Sequence, residues 1–468
     1  MSFKSLFLPL ALLSTAFAEK PNILLICVDD LRPELKSFGA NYIHSPAMDS
    51  LVASGRAFTR HYVQAPTCGA SRYVLLTGKY GVVQGLRGNN ALASVAKDAD
   101  KQPHSMPRHF RENGYRTVSI GKVSHYPGGL GGKGWSDPEK PEMPGAWDIS
   151  LMPTDPWENP EVAMHSYAGG KGRERGVTPV NEHVDGDDLT YTDGWITRES
   201  LKQMEELSGK DEPFFLAVGL MKPHLPFACP KKYLDLYEGV ELPPISHPEK
   251  PEGLTTWHSS GEFFGRYFHA DRDPRTDPAY ADEIRRSYAA CVSYADAQVA
   301  QLLERLEKLG LEENTIVILW GDHGYHLGEH SIYGKHSLFE ESLLAPLVIR
   351  APGMKQSGIS SSSITETADI YPTLCELTGV PQPAGLSGES LVANLSDPAA
   401  PGRPAISYAG KRETIRTDTH RLIRHHLKDR TAFELYDHTG SDGEITNLAG
   451  EKPELVQELN ALLDERMK

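Results

Sequence analysis

The stretch Asn22-Ile23-Leu24-Leu25-Ile26-Cys27-Val28-Asp29-Asp30 decides how the chain is read. From Ile23 to Val28 it is apolar without alternation, the pattern of a parallel strand buried on both faces. It stops at two adjacent carboxylates. A second stretch, Thr315-Ile316-Val317-Ile318-Leu319-Trp320-Gly321-Asp322-His323-Gly324, has the same form, with a histidine after the acid. Further strands are expected at 117–120, 214–219 and 345–350. Helical spacing predicts helices at 47–54, 106–113, 196–206, 282–309 and 367–378. Strands alternating with helices predict an α/β fold, a mostly parallel sheet sandwiched by helices. Ligands of such sheets sit beyond the carboxyl ends of the strands, where both acidic pairs fall.

Outward from this core, residues 126–195 and 239–280 are rich in Gly, Pro and charge. Loops that long inside a compact domain are usually functional, so substrate specificity is expected there. A Pro- and Gly-rich connection over 381–404 leads to short β-like runs at 405–436 and a polar amphipathic helix at 451–466. These predict a small C-terminal sheet-and-helix subdomain. At the other end, Lys4, the apolar run 5–15 and Ala16-Phe17-Ala18 form a signal peptide, with cleavage near Ala18. The run is too short to span a bilayer comfortably, which needs about 20 apolar residues. The expected division is a signal peptide at 1–18, a catalytic domain at 19–395 and a C-terminal subdomain at 396–468, secreted or periplasmic. A net charge of −15 excludes a generic nucleic-acid binder, and no stable membrane insertion is expected. Five cysteines do not make a disulfide scaffold. Cys27 and Cys291 read as buried thiols, and Cys229 and Cys375 are left as a possible pair.

Three carboxylates gathered at strand ends would repel one another unless a cation sat between them. Asp29, Asp30 and Asp322 suit a hard ion such as Ca²⁺ or Mg²⁺, whereas His323 favours a transition metal. The bland alternative for Asp29-Asp30 is a turn cap. Cys68 stands just before Ser71-Arg72-Tyr73-Val74-Leu75-Leu76, which reads as the first turns of a helix. Free N–H groups and the positive dipole end make that position a seat for a tetrahedral anion, and Arg72 can fork onto two anion oxygens. Alone, Cys68 could equally be structural, or an ordinary thiol nucleophile.

Taken in order, several motifs carry a family resemblance. They are the opening strand 21–32, Ala47 to Gly55 with Phe58-Thr59, and Cys68-Gly69-Ala70-Ser71-Arg72 with Leu76-Thr77-Gly78. Gly121-Lys122-Val123-Ser124-His125, Lys222-Pro223-His224, Gly321-Asp322-His323-Gly324 and Gly334-Lys335-His336 follow. Glu434-Leu435-Tyr436-Asp437 with Asn447-Leu448 closes the series. Together they resemble the formylglycine-dependent sulfatases, most of all the iduronate-2-sulfatase branch, which shares the histidine after the metal aspartate and the Gly-Lys-Val-x-His run.

The resemblance implies an alkaline-phosphatase-like fold and a maturase that oxidises Cys68 to 3-oxoalanine (formylglycine). It implies one Ca²⁺ held by Asp29, Asp30, Asp322, His323 and the modified Cys68. Arg72 would orient residue 68, and Lys122, His125, His224 and Lys335 would surround the sulfate, with His336 a further substrate contact. His224 is the expected general acid and His125 the expected base. The expected substrate is a sulfated carbohydrate, and a uronic-acid-containing glycan is one form it could take. One departure stands out: Ala70 replaces the usual proline of the signature, which bears on how efficiently Cys68 is converted. Two alternatives stay open, a metal-dependent phosphatase or phosphodiesterase of the same fold, and a non-catalytic glycan binder in which Cys68 is never oxidised.

Overall fold

The strand Asn22–Val28 runs through the middle of an eight-stranded sheet. The computed structural model describes residues 20–82, 84–96, 104–127, 141–440 and 443–468, so the expected signal peptide at 1–18 lies outside the described residues. The strands follow the order Ser361–Glu366, Arg56–Tyr62, Leu347–Arg350, Thr315–Gly321, Asn22–Val28, Phe214–Leu220, Arg116–Gly121 and Ile149–Leu151. Leu347–Arg350 is antiparallel to both neighbours; the other pairs are parallel. The three central strands are buried along their whole length, which is why their sequences are apolar without alternation.

Alternate side chains of the first strand serve opposite cores. Leu24, Ile26 and Val28 pack with Val299 and Leu302 of the long helix Pro278–Lys308. Ile23, Leu25 and Cys27 pack with Val74 and Leu75 of the helix Cys68–Thr77. The long helix begins four residues earlier than its periodicity predicts, because Asp277 caps it by accepting from the Tyr280 N–H at 3.0 Å. Its Asp296 in turn caps the helix Pro46–Ser54, accepting from Met48 N at 2.8 Å and Ala47 N at 3.1 Å.

Three strands were not legible. Arg56–Tyr62 carries Arg56, Arg60 and His61, and Ser361–Glu366 is mostly polar. Ile149–Leu151 is a three-residue edge strand. Their polar groups find partners only in the fold: Arg56, for example, donates to Leu395 O at 2.9 Å.

The C-terminal sheet joins Ala405–Ala409, Arg412–Arg416, His420–His426 and Thr431–Asp437 as an antiparallel meander, covered by the helix Pro453–Arg466. Ile415, Leu422, Leu435 and Leu463 belong to the same buried cluster as Cys27 and Trp320, so this unit shares a core with one face of the main sheet. All five cysteines are free. The possible Cys229–Cys375 pair does not form: Cys229 lies in one core with Cys291 and Cys375 in the other, on opposite faces of the sheet. Among the described residues, no helix is long and apolar enough to cross a membrane.

Candidate active site

Parallel pairing sets the site. Val28 is in register with Gly321, so Asp29-Asp30 and Asp322-His323 leave the sheet side by side. The Asp30 N–H donates to Asp322 Oδ1 at 2.9 Å, and Asp30 has a left-handed backbone, φ 58°. Two strands away, the chain after Gly121 brings in Lys122, whose ammonium donates to Asp29 Oδ2. Gly219 makes this crossing possible. A Cβ there would stand 2.0 Å from the Lys122 carbonyl carbon.

The helix Cys68–Thr77 is buried from end to end. Cys68 opens it and Arg72 follows one turn later on the same side. Gly69 has a steric cause as well, since a Cβ would lie 2.2 Å from the Asn89 carbonyl oxygen. Asn89 Oδ1 accepts from the Gly69 N–H at 3.1 Å, fixing the first turn. Arg72 Nε donates to Asp322 Oδ2 at 3.1 Å and Nη2 to Asp29 Oδ1 at 3.1 Å, so one guanidinium bridges two strand ends. Its Nη1 donates to the Lys122 and Val123 carbonyls. The Cys68 sulfur lies 3.3 Å from His323 Nε2, 3.4 Å from Lys335 Nζ and 4.0 Å from Asp30 Oδ1. Lys335 Nζ donates to both Asp30 oxygens, at 2.7 and 3.0 Å.

Buried histidines complete the wall. His323 Nδ1 donates to Gly324 O at 3.0 Å, which turns Nε2 toward the carboxylates. His224 Nδ1 donates to Leu225 O at 2.6 Å and leaves Nε2 for the cavity. The Lys222 ammonium holds the His224 turn through the His224 and Pro226 carbonyls. The ring of His125 packs edge-on to Tyr126, centroids 4.5 Å apart. Burial, then the cations Lys335 and Lys122, holds His224 neutral; burial and Lys122 do the same for His125. His336 pairs with Thr67 Oγ1 at 3.1 Å, and burial lowers it to about 3. Burial and then Asp29 push the Cys68 thiol well above its ordinary range, which disfavours an ordinary thiolate nucleophile.

Asp29, Cys68, Asp322 and His323 offer ligand atoms all within 4.8 Å of one another, and so do Asp29, Asp30, Cys68 and His224. The two sets share Asp29 and Cys68. Three carboxylates face three cations, Arg72, Lys122 and Lys335, so the cluster is formally neutral. Asp29, Asp30 and Asp322 supply hard oxygen donors, so the set fits a hard divalent cation. With the cation bound, the pocket would be positive and suited to an anion.

A cavity of about 460 Å³ opens from Cys68, His125, His224, Lys335 and His336. Its outer wall comes from the two long loops, through Glu161, His165 and Arg173 of one and Glu262 and Arg266 of the other. None of these five wall residues, nor Asn89, carries a motif; only membership of a long polar loop pointed to the wall. Among the described residues, Trp147, Trp195 and Trp257 do not line it. Trp147 packs on Phe215, Trp195 donates to Leu189 O and Trp257 donates to His330 O; Trp135 lies outside the described residues. His326 and His330, near the site in sequence, turn instead toward Ser337 and Glu341.

A sulfatase family model matches residues 21–380, and a model of the N-sulphoglucosamine sulphohydrolase C-terminal region matches residues 328–468. A sulfatase of Formosa agariphila is 30% identical over 461 residues, covering 92% of this chain and 83% of the relative. Human (Homo sapiens) iduronate 2-sulfatase is 31% identical over 397 residues, covering 77% and 70%. A solved structure in complex with its substrate D-glucosamine-2-N,6-O-disulfate superposes with a TM-score of 0.72 at 24% identity, covering 96% of this chain and 97% of that one. It shares the fold.

Proposed function

The chain belongs to the sulfatase family, and on that premise we propose that it removes sulfate from a sulfated carbohydrate, as an exported, iduronate-2-sulfatase-like enzyme, through a formylglycine made from Cys68. The observation that carries this reading is the position of the Cys68 sulfur, 3.3 Å from His323 Nε2 and 3.4 Å from Lys335 Nζ, at the floor of the cavity. The carbohydrate is supported by what the relatives act on, iduronate and glucosamine sulfates.

Asp29, Asp30, Asp322 and His323, with residue 68, would hold Ca²⁺, which supplies Lewis-acid polarisation of the nucleophile and of the sulfate oxygens. Oxidised and hydrated, residue 68 supplies two geminal hydroxyls, one to attack sulfur and one whose deprotonation releases sulfate. Arg72 fixes residue 68 from one turn along the helix and ties Asp29 to Asp322. Lys122 and Lys335 neutralise the sulfate oxygens, where transition-state charge builds. His224, with Nδ1 committed to Leu225 O, presents Nε2 to the leaving sugar oxygen as general acid. The anionic substrate offsets the cations that keep this imidazole neutral beforehand. His125, held neutral, is in the form that a base requires. His336 contacts the substrate at the cavity edge. The expected reach of the signal peptide, cleaved near Ala18, directs the chain to the periplasm or outside the cell.

Mass spectrometry of the peptide 61–79 tests the first step, since thiol-to-aldehyde conversion lowers its mass by about 18 Da. Free thiol alone, in protein from a maturase-competent host, would sink the reading. Cys68→Ala is expected to abolish turnover of sulfated sugars.

A further inference from the structure

The hairpin that leads into Lys335 carries two further histidines. His326 lies on its first strand, His326–Leu327, and His330 in the turn before the second, Tyr333–Gly334. Both are fully buried, at 0% exposure. Near them stand Glu341, on the helix Glu340–Leu343, and Glu444, from the C-terminal unit.

Polar groups meet here without partners. His326 Nδ1, both ring nitrogens of His330 and Glu341 Oε2 are buried and make no hydrogen bond among the described residues. Nor does Glu341 have a Lys or Arg partner among them; its contacts are His330 Nε2 at 3.6 Å and His326 Nδ1 at 4.0 Å. Both distances are too long for hydrogen bonds. Buried polar groups are nearly always paired, so such a gathering calls for an occupant. Two donors on one tetrahedral ion stand about 3.4 Å apart, given bonds of about 2.1 Å. His330, Glu341 and Glu444 offer ligand atoms all within 4.8 Å of one another. His326 Nδ1 stands on the Glu341 side of this set as a fourth donor.

The surroundings orient these donors. His326 Nε2 pairs with Ser337 Oγ at 2.8 Å, the kind of outer contact that fixes a ligating imidazole. The His330 ring is stacked on Phe339, centroids 4.1 Å apart. Glu444 accepts from the Glu340 N–H at 2.7 Å, pairs with His438 Nε2 at 2.9 Å and accepts from Arg421. Imidazoles mixed with carboxylates suit Zn²⁺, whereas Ca²⁺ takes oxygen donors.

We propose that His326, His330, Glu341 and Glu444 form a second metal site, which takes Zn²⁺ or a similar transition-metal ion and is separate from the carboxylate cluster at Cys68. The ion ties the hairpin before Lys335 to the C-terminal unit. This role is structural and does not rest on the sulfatase reading.

The test is zinc titration of tag-free, chelator-treated full-length protein in excess CaCl₂, with bound metal measured by elemental mass spectrometry. One equivalent per chain is expected, and His323→Ala should retain it. Zinc should raise the melting temperature of both proteins but not of Glu341→Gln. Ser337→Ala, which removes no ligand, should weaken zinc binding by about tenfold or more, and Glu341→Gln by more still. The same melts show that the variants fold. If wild-type protein in excess calcium takes up no zinc, water or a proton bridges these groups and the site is overturned. Uptake unchanged by Glu341→Gln overturns it as well; its loss in His323→Ala would then place the zinc at the Cys68 cluster.

Discussion

The Lys335 ammonium lies 2.7 and 3.0 Å from the two carboxylate oxygens of Asp30. Residues 305 positions apart thus form a fully buried ion pair, and the same ammonium stands 3.4 Å from the Cys68 sulfur. A lysine so placed can neutralise a sulfate oxygen without being a ligand of the metal. Lys335→Met is therefore expected to lower kcat/KM for 4-nitrophenyl sulfate by about a hundredfold or more. The rise in melting temperature on adding calcium should persist. Loss of that thermal response would show that Lys335 acts through the metal site instead.

His224 separates two kinds of substrate. A general acid matters when the leaving oxygen is basic, as a sugar hydroxyl is, and little when it is a nitrophenolate. His224→Ala should cost about a hundredfold on a sugar sulfate and under about tenfold on 4-nitrophenyl sulfate. Equal losses on both would assign His224 to sulfate binding alone.

Calcium should stabilise as well as activate. Burying Asp29, Asp30 and Asp322 without a divalent ion leaves the cluster dependent on three side-chain cations. At a hundred times its Kd, a bound ion adds about 2.7 kcal/mol. Thermal melts in EGTA and in excess CaCl₂ should differ accordingly, and turnover lost in EGTA should return with calcium. Identical melts would exclude a calcium site of that strength.

Asp296 gives a pH signature away from the chemistry. Its burial raises it to about 7, against the N–H groups of Met48 and Ala47, which favour the charged form. A raised carboxyl binds its proton in the native state where the unfolded chain has released it. Stability from this group is thus full below about pH 4 and is lost as pH rises through 7, on the order of 4 kcal/mol in total. Asp296→Asn should flatten that slope in urea unfolding between pH 4 and 8. An unchanged slope would locate the dependence in other groups.

The central strands and both acidic pairs were legible because burial on two faces leaves only apolar side chains, and those chains stop at the ligand edge. Cys68 and Arg72 were legible as one helical turn. Arg56–Tyr62 and Ser361–Glu366 were not, because their polar groups are satisfied by residues some 300 positions away. The cavity wall was foreseen only as two long loops. Which of their side chains line the cavity, Glu161, His165 and Arg173 of one and Glu262 and Arg266 of the other, depends on how the loops pack. Cys229 and Cys375 show the same limit, since spacing cannot tell which face of a sheet a thiol occupies.

By itself, the sequence determined the alternating sheet-and-helix architecture, the two acidic strand ends and the order of motifs that marks the family. These are local properties: periodicity, composition and spacing act within a few residues. The tertiary structure alone decided that Arg72 bridges Asp29 and Asp322, and that Lys122 crosses over Gly219 to reach Asp29. Each is a contact between distant segments, fixed by strand register and by room for the backbone, and neither is written in any one stretch of the chain.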